Sequence, residues 1–104
     1  MITVTLTEKG RNLSLRVEGH AEYAEHGKDI VCASASILAY TLASLVDSID
    51  GVKTSINLDS GDSTIECECK DYETFIMVAG AYAFAKRGYE LLAQHYPQYV
   101  RLMP

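Results

Sequence analysis

Two short runs near the start of the chain alternate apolar and polar side chains. Residues 2–7 alternate isoleucine, valine and leucine with threonine, and residues 13–18 alternate leucine or valine with polar residues. A period of two is typical of strands that have one buried face. The polar segment 8–12 between the runs contains Gly10, so the pattern predicts a β-hairpin.

Two later segments have the period of amphipathic helices. Asp29 precedes the first as a candidate N-cap, and Asp50-Gly51 is a stop signal after it. The predicted inward positions of this first helix are Val31, Ala35, Leu38, Leu42, Leu45 and Ile49. Asp71 is a candidate cap for the second helix, which Pro97 ends. The inward positions of that helix are Phe75, Val78, Tyr82, Ala85, Tyr89 and Leu92.

Residues 52–59 and 63–70, between the helices, are predicted strands separated by the turn 60–62. The tail 98–104 is a candidate edge strand. The order ββαββα predicts an α+β fold, a two-layer sandwich with the helices packed on one face of a mainly antiparallel sheet. We expect the 104 residues to form a single domain, 1–104, without a linker or repeat.

The composition restricts the function classes. Hydrophobic residues make up 48% of the chain, too many for disorder, and the formal net charge is −5. A negative field repels phosphate backbones, so nucleic-acid binding is disfavoured and basic partners are favoured. We expect no membrane association, because no apolar run approaches the ~20 residues that span a bilayer. The start of the chain lacks the basic region of a signal peptide, so we expect a cytoplasmic location.

Residues 19–29 follow neither period and form a long loop, which in a small domain is usually functional or disordered. Cys32 follows the loop in the first turn of a helix, where backbone N–H groups and the macrodipole favour a thiolate. His20 lies at the exit of the second strand, so the two side chains can meet at one sheet edge. A Cys–His pair is the minimal unit of thiol nucleophilic catalysis, and the helix N-terminus offers N–H donors for an oxyanion.

The same residues also suit structural roles that involve no catalysis. Cys32 is also a candidate small buried hydrophobe, and His20 a candidate surface histidine. Asp29 suits a helix cap better than the acid of a triad, and Ser36, one turn after Cys32, either packs or hydrogen-bonds the thiol or a substrate. His26 is a weaker rival base within the loop.

Three cysteines in a chain without secretory features argue against a disulfide framework. Cys67 and Cys69 share a strand face with Ile65, where the pattern favours core residues. A zinc site that joins them to Cys32 and His20 is disfavoured, because a C-x-C pair lacks the spacing of common zinc knuckles. We therefore expect neither a metal nor another cofactor.

Two motifs resemble the signature of a known family. They are Gly19-His20-Ala21 and Gly27-x-Asp29-Ile30-Val31-Cys32-Ala33-x-x-Ser36. Together they resemble the signature of the ribosomal-processing cysteine proteases (Prp), and the resemblance extends over essentially the whole chain.

The resemblance implies a role for each motif residue. Cys32 would be the nucleophile and His20 its general base, with Asp29 and Ser36 in supporting positions. Gly19 and Gly27 would be hinges of a loop that admits a peptide. The implied substrate is a large-subunit ribosomal protein of bacteria, whose short N-terminal extension is removed after adjacent aromatic residues. The implied assembly is a homodimer.

Two other classes of function remain as alternatives. One is a ribosome-associated module that binds a basic protein tail without chemistry. The other is a redox sensor in which Cys67 or Cys69 resolves an oxidised Cys32, although their predicted inward face opposes such an approach.

Overall fold

The alternating runs form strands and the two periodic runs form helices. The computed structural model describes residues 1–25 and 27–104. In chain order the elements are β1 (Ile2–Lys9), β2 (Asn12–Glu18), α1 (Ile30–Asp47), β3 (Val52–Asp59), β4 (Asp62–Cys69), α2 (Tyr72–His95) and β5 (Val100–Leu102). The predicted α+β fold and the order ββαββα are confirmed, and the tail supplies an additional strand.

The strands form one mixed sheet in the order β3-β4-β2-β1-β5. The β1–β2, β2–β4 and β3–β4 pairs are antiparallel, whereas β5 lies parallel to β1 at the sheet edge. The edge strand predicted in the tail therefore exists, and it runs parallel because α2 returns the chain across the sheet before β5 begins.

One face of the sheet is buried beneath the helices. Val4, Leu15, Ile65 and Val78 are each at most 1% exposed, and Cys67 and Cys69 belong to the same core. The alternate residues of β2 and β4 are exposed or half-buried. The period-two pattern thus identified the buried face correctly, including both cysteines of β4.

The inward face of α1 differs in part from the predicted one. Its buried residues are Val31, Ala35, Ala39, Leu42, Ala43 and Val46. Leu45 is 47% exposed, whereas Leu38 and Ile49 are partly buried and pack against the core. Ile49 does so from beyond the helix, which ends at Asp47 with Ser48 as its C-cap. Alanines replace larger residues on the inward face because their short side chains let α1 approach the sheet and α2 closely. In α2 the prediction holds except that Thr74 is buried and Phe75 only partly so.

α1 is also the most apolar helix of the chain. Its 18 residues have a mean hydropathy of 1.7, which by length and composition is enough to cross a membrane. The expectation that no apolar run approaches the length of a membrane span therefore fails for α1. The core helix of a soluble protein passes the same test, and one side of α1 is buried against the sheet and α2.

Candidate active site

Asp29 organises the start of α1 and the loop before it. As the N-cap, its Oδ1 accepts hydrogen bonds from the backbone N–H groups of Val31 at 3.0 Å and Cys32 at 2.9 Å. Its Oδ2 accepts from the N–H groups of Tyr23 at 2.9 Å and Ala24 at 3.3 Å. One carboxylate therefore caps the helix and holds the loop against it.

The charge on Asp29 is stabilised by these same contacts. Burial alone would raise the pKa of the carboxyl group. The hydrogen bonds from the backbone N–H groups of Cys32, Ala24 and Tyr23 outweigh burial and hold the pKa below its ordinary value. Both oxygens of Asp29 thus accept backbone donors, the arrangement of a helix cap, and a hydrogen bond with the Cys32 side chain also lowers the pKa.

The thiol of Cys32 is half-buried at the first turn of α1. The backbone N–H of Ala21 donates to Sγ at 3.3 Å, and the side chain of Ala21 is 2% exposed. Burial of this alanine fixes the donor next to the sulfur. The loop that precedes the helix therefore supplies the closest hydrogen bond to the thiol, a contact that the sequence did not indicate.

Three N–H groups of the first turn of α1, where donors for an oxyanion are expected, have partners within the protein. Those of Val31 and Cys32 donate to the Asp29 carboxylate, and that of Ala33 donates to the Asp29 carbonyl at 3.0 Å. A carboxylate at this position also offsets the favourable effect of the macrodipole on a thiolate. The N–H groups of Val31, Cys32 and Ala33 thus all have partners in Asp29, whereas the Ala21 N–H lies beside the sulfur.

His20 and Cys32 line the same cavity, which has a volume of about 760 Å³. His20 is exposed, and its carbonyl accepts from the N-terminal amine of Met1 at 2.6 Å. The hydrogen bonds of the described residues do not join its imidazole to Cys32. The strand exit and the helix start therefore meet at one cavity, as expected, without a direct bond between the two side chains.

Other residues around the cavity give it a mixed lining. Ser36 lies one turn beyond Cys32 and faces the same space, and Tyr40 and Leu58 add apolar surface. Glu22 and Asp59 place carboxylates at it. Sequence reasoning had assigned no role to Tyr40, Leu58 or Asp59, because only the fold brings β3 beside α1.

The two predicted hinge glycines have different surroundings. Gly19 and Gly27 both have positive φ, +90° and +88°. Gly19 is exposed but packs against the first residue of the chain: its N–H donates to the Gly61 carbonyl at 2.8 Å, and a Cβ at Gly19 would collide with the Met1 carbonyl oxygen. Within residues 1–25 and 27–104, nothing lies within 4 Å of the position that a Cβ at Gly27 would occupy. His26, the rival base, lies outside the described residues.

The loop also contacts the end of the chain through aromatic rings. The Tyr23 ring packs edge to face on Tyr96 and Tyr99, at centroid distances of 5.5 Å and 5.2 Å. Glu22, just before it, has a left-handed φ of 58°. The segment after α2 therefore borders the loop, a contact between distant parts of the sequence.

Cys67 and Cys69 lie on β4 away from the cavity. They are 3% and 2% exposed, and burial raises the pKa of both thiols. Cys67 Sγ accepts from the Tyr82 hydroxyl at 3.4 Å, and the N–H of Cys69 donates to the carbonyl of Arg11 in the β1–β2 turn. Within residues 1–25 and 27–104, no group of three or more metal-binding side chains is arranged to hold an ion.

A comparison with protein families places the chain among the cysteine peptidases. The matching family model is that of the cysteine protease Prp, and it covers residues 1–101. The chain therefore belongs to the cysteine protease Prp family, as the two motifs of the loop and α1 indicated.

Individual relatives agree with this assignment. The ribosomal processing cysteine protease Prp of Staphylococcus aureus strain Mu50 is 34% identical over 61 residues. The matched region is 57% of this chain and 58% of that protein, so it spans under two thirds of the curated relative.

Solved structures share the fold. The crystal structure of an essential ribosomal processing protease Prp from S. aureus with a covalently linked product peptide superposes with a TM-score of 0.80 at 24% identity. The alignment covers 98% of this chain and 97% of that chain. The same protease with a substrate peptide gives 0.76 at 22% identity, covering 99% and 98%.

Proposed function

We propose that the protein is a cysteine endopeptidase in which Cys32 is the nucleophile and His20 the general base. The observation that carries this proposal is that both side chains line one cavity at the junction of β2, the loop and α1. The family match supports the reaction class. The Ala21 N–H beside Sγ supports a stabilised sulfur anion.

In the proposed reaction the His20 imidazole takes the thiol proton and the Cys32 thiolate attacks the scissile carbonyl carbon. The C–N bond then breaks, and the imidazolium returns its proton to the leaving amine, which leaves a thioester on Cys32. Water adds to the thioester with His20 as base, and cleavage of the C–S bond releases the acid and the thiol.

The substrate we propose is the basic N-terminal extension of a large-subunit bacterial ribosomal protein. Glu22 and Asp59 at the cavity suit positively charged residues. Tyr40 and Leu58 provide an apolar wall for the aromatic residues that precede the cut. We propose no direct contact with nucleic acid, which fits a net charge of −5. A reducing cytoplasm belongs to the same proposal and suits three free thiols.

We propose further that the protein acts as a homodimer through its helical layer. An apolar groove of about 270 Å³ lies between the helices, lined by residues such as Leu38, Leu42 and Ala81. Phe84 borders the groove and is 76% exposed. A protruding ring beside an apolar groove suits an isologous contact, in which each copy places its ring against the other.

The catalytic proposal is tested with the extended ribosomal protein as substrate and mass spectrometry as the readout of the cut. We expect no cleavage by Cys32→Ala and a loss of kcat of about a hundredfold or more in His20→Ala. His95→Ala is the matched control, because His95 is an exposed histidine on α2 whose ring bonds the Leu91 carbonyl of its own helix. Cleavage by Cys32→Ala at the parent rate would refute the nucleophile.

The same samples test the non-catalytic alternative. A binding module would hold the extended protein equally well with Cys32→Ser and leave it uncut with either form. Cleavage by the parent protein that is lost in the serine variant would exclude that reading.

A further inference from the structure

The imidazole of His20 lies against Gly61, the glycine of the turn between β3 and β4. A Cβ at Gly61 would lie 2.6 Å from His20 Nε2 and 3.0 Å from Cε1. Real Cβ atoms essentially never approach a heavy atom as closely as the first of these distances. The ring therefore occupies the space that any side chain at position 61 would need.

The register of the sheet brings the two residues together. Glu18, the last residue of β2, is opposite Asp62, the first residue of β4. The next bond beyond this pair joins the Gly19 N–H to the Gly61 carbonyl at 2.8 Å. The turn is thus bonded to the residue that precedes His20, which places the Gly61 backbone beside the imidazole.

Two features favour a glycine at position 61, the left-handed backbone and the neighbouring ring, and Gly10 shares only the first of them. Gly61 has a φ of +78°, a conformation that residues with a Cβ rarely adopt. Gly10, in the β1–β2 turn, has a φ of +61°, but nothing lies within 4 Å of the position of its missing Cβ. A substitution at Gly10 therefore reproduces the backbone strain without a neighbouring ring.

We propose that Gly61 is a positioning residue for His20, with the bare backbone of the β3–β4 turn forming the surface that fixes the imidazole at the cavity. The inference rests on the proposed function, because it takes His20 as the base of Cys32. Among the described residues, no hydrogen bond holds a ring nitrogen of His20. Contact with the turn is therefore what limits the orientations of the ring on this side.

The test compares Gly61→Ala with Gly10→Ala in the full chain. Since a displacement of about 1 Å costs a catalytic pair up to a hundredfold, we expect Gly61→Ala to lower kcat by at least about tenfold while KM changes little. The NMR signals of the His20 ring are expected to shift in this variant, with those of His95 unchanged. Gly10→Ala is expected to lose similar stability while retaining kcat and the His20 signals.

A readout that needs no peptide separates this inference from the proposed function. The rate at which iodoacetamide alkylates Cys32 depends on removal of the thiol proton, which the proposed function assigns to His20. We expect this rate to fall in Gly61→Ala and not in Gly10→Ala. Shifted ring signals with slower alkylation in Gly61→Ala would uphold the inference. If, in addition, no form of the protein cleaved the ribosomal protein, the absence of cleavage would refute the peptidase proposal only.

Three results would overturn the inference. The first is a Gly61→Ala variant with the ring signals and alkylation rate of Gly10→Ala. The second is a shifted ring without any change in alkylation. The third needs no variant and applies even if Gly61→Ala does not fold: the absence of a nuclear Overhauser effect between the His20 ring protons and the Gly61 Hα protons in the parent protein.

Discussion

The carboxylate of Asp29 accepts the backbone N–H of Cys32 at 2.9 Å, so the residue that caps α1 also occupies the amide of the residue that carries the thiol. The Cys32 backbone and the Cys32 thiol therefore have different hydrogen-bond partners. The helix N-terminus fixes Cys32 in place through its cap, and the N–H nearest to the sulfur comes from Ala21 in the loop.

Loss of the Asp29 side chain is expected to be more harmful than loss of an ordinary cap. Asp29→Ala removes acceptors from two helix and two loop N–H groups, and we expect it to lower the free energy of unfolding by about 2 kcal/mol. Urea unfolding measures this. Asp71→Ala, which removes a cap that bonds Thr74 and holds no preceding loop, is the matched control with an expected loss of about 1 kcal/mol.

The asparagine variant separates the two functions of Asp29. In Asp29→Asn the amide oxygen can still cap α1, but the NH₂ group cannot accept from Tyr23 or Ala24. Much of the stability should return while amide exchange at Tyr23 and Ala24 stays fast. Equal protection of both loop amides in the variant and the parent would contradict the assignment of Oδ2 to the loop.

Acidification should destabilise the protein through Asp29. Its pKa is held below the ordinary aspartate value of about 3.9 that the unfolded chain has, so the unfolded state binds more protons. The stabilisation is therefore full above about pH 4 and is lost as the pH falls through the folded pKa. Unfolding at several pH values should show the gap between parent and Asp29→Asn narrowing in acid.

The three thiols should differ sharply in reactivity. Cys32 is half-buried at a cavity, whereas Cys67 and Cys69 are almost wholly enclosed with a pKa raised by burial. Brief treatment of the native protein with iodoacetamide, followed by peptide mass spectrometry, should label Cys32 alone, and unfolding in urea should expose all three. A disulfide between Cys32 and either β4 cysteine after mild peroxide would instead support the redox alternative.

Substrate attraction should depend on the acidic side chains of the cavity. We expect Glu22→Gln combined with Asp59→Asn to raise KM several-fold for a basic peptide, with kcat nearly unchanged and a weaker dependence on salt. Glu66→Gln with Glu68→Gln is the control of equal charge, because these residues lie on the outer sheet face. If both pairs raise KM equally, net charge rather than the cavity attracts the peptide.

The proposed dimer should depend on Phe84. Phe84→Glu places a charge at the apolar groove, and sedimentation should then show a monomer. Tyr72→Glu is the control, since Tyr72 is 66% exposed at the start of α2 and does not line the groove. A parent protein that sediments as a monomer at micromolar concentration would refute the proposal.

Much of the fold could be predicted because local pattern and tertiary burial agree in it. Strand alternation placed Cys67 and Cys69 in the core, and the caps at Asp29 and Asp71 set the helix starts. The inward face of α1 was harder. An apolar helix has little contrast between its faces, so periodicity favoured the leucines where close packing selected the alanines.

The site could be predicted only where it depends on the order of strands and helices along the chain. His20 and Cys32 follow from a strand exit and a helix start, which meet at one edge. The contact with Gly61 depends on the pairing of β2 with β4, and that pairing skips over α1 and β3 in the sequence. The N–H of Ala21 was missed for another reason: a backbone donor has no side-chain signature.

The packing of Tyr23 on Tyr96 and Tyr99 has an optical consequence. The chain contains seven tyrosines and no tryptophan, so its near-ultraviolet emission arises from tyrosine alone. Any movement of the loop that separates Tyr23 from the other two rings would alter the surroundings of three of the seven emitters. The protein thus carries a label-free fluorescent reporter of the position of this loop.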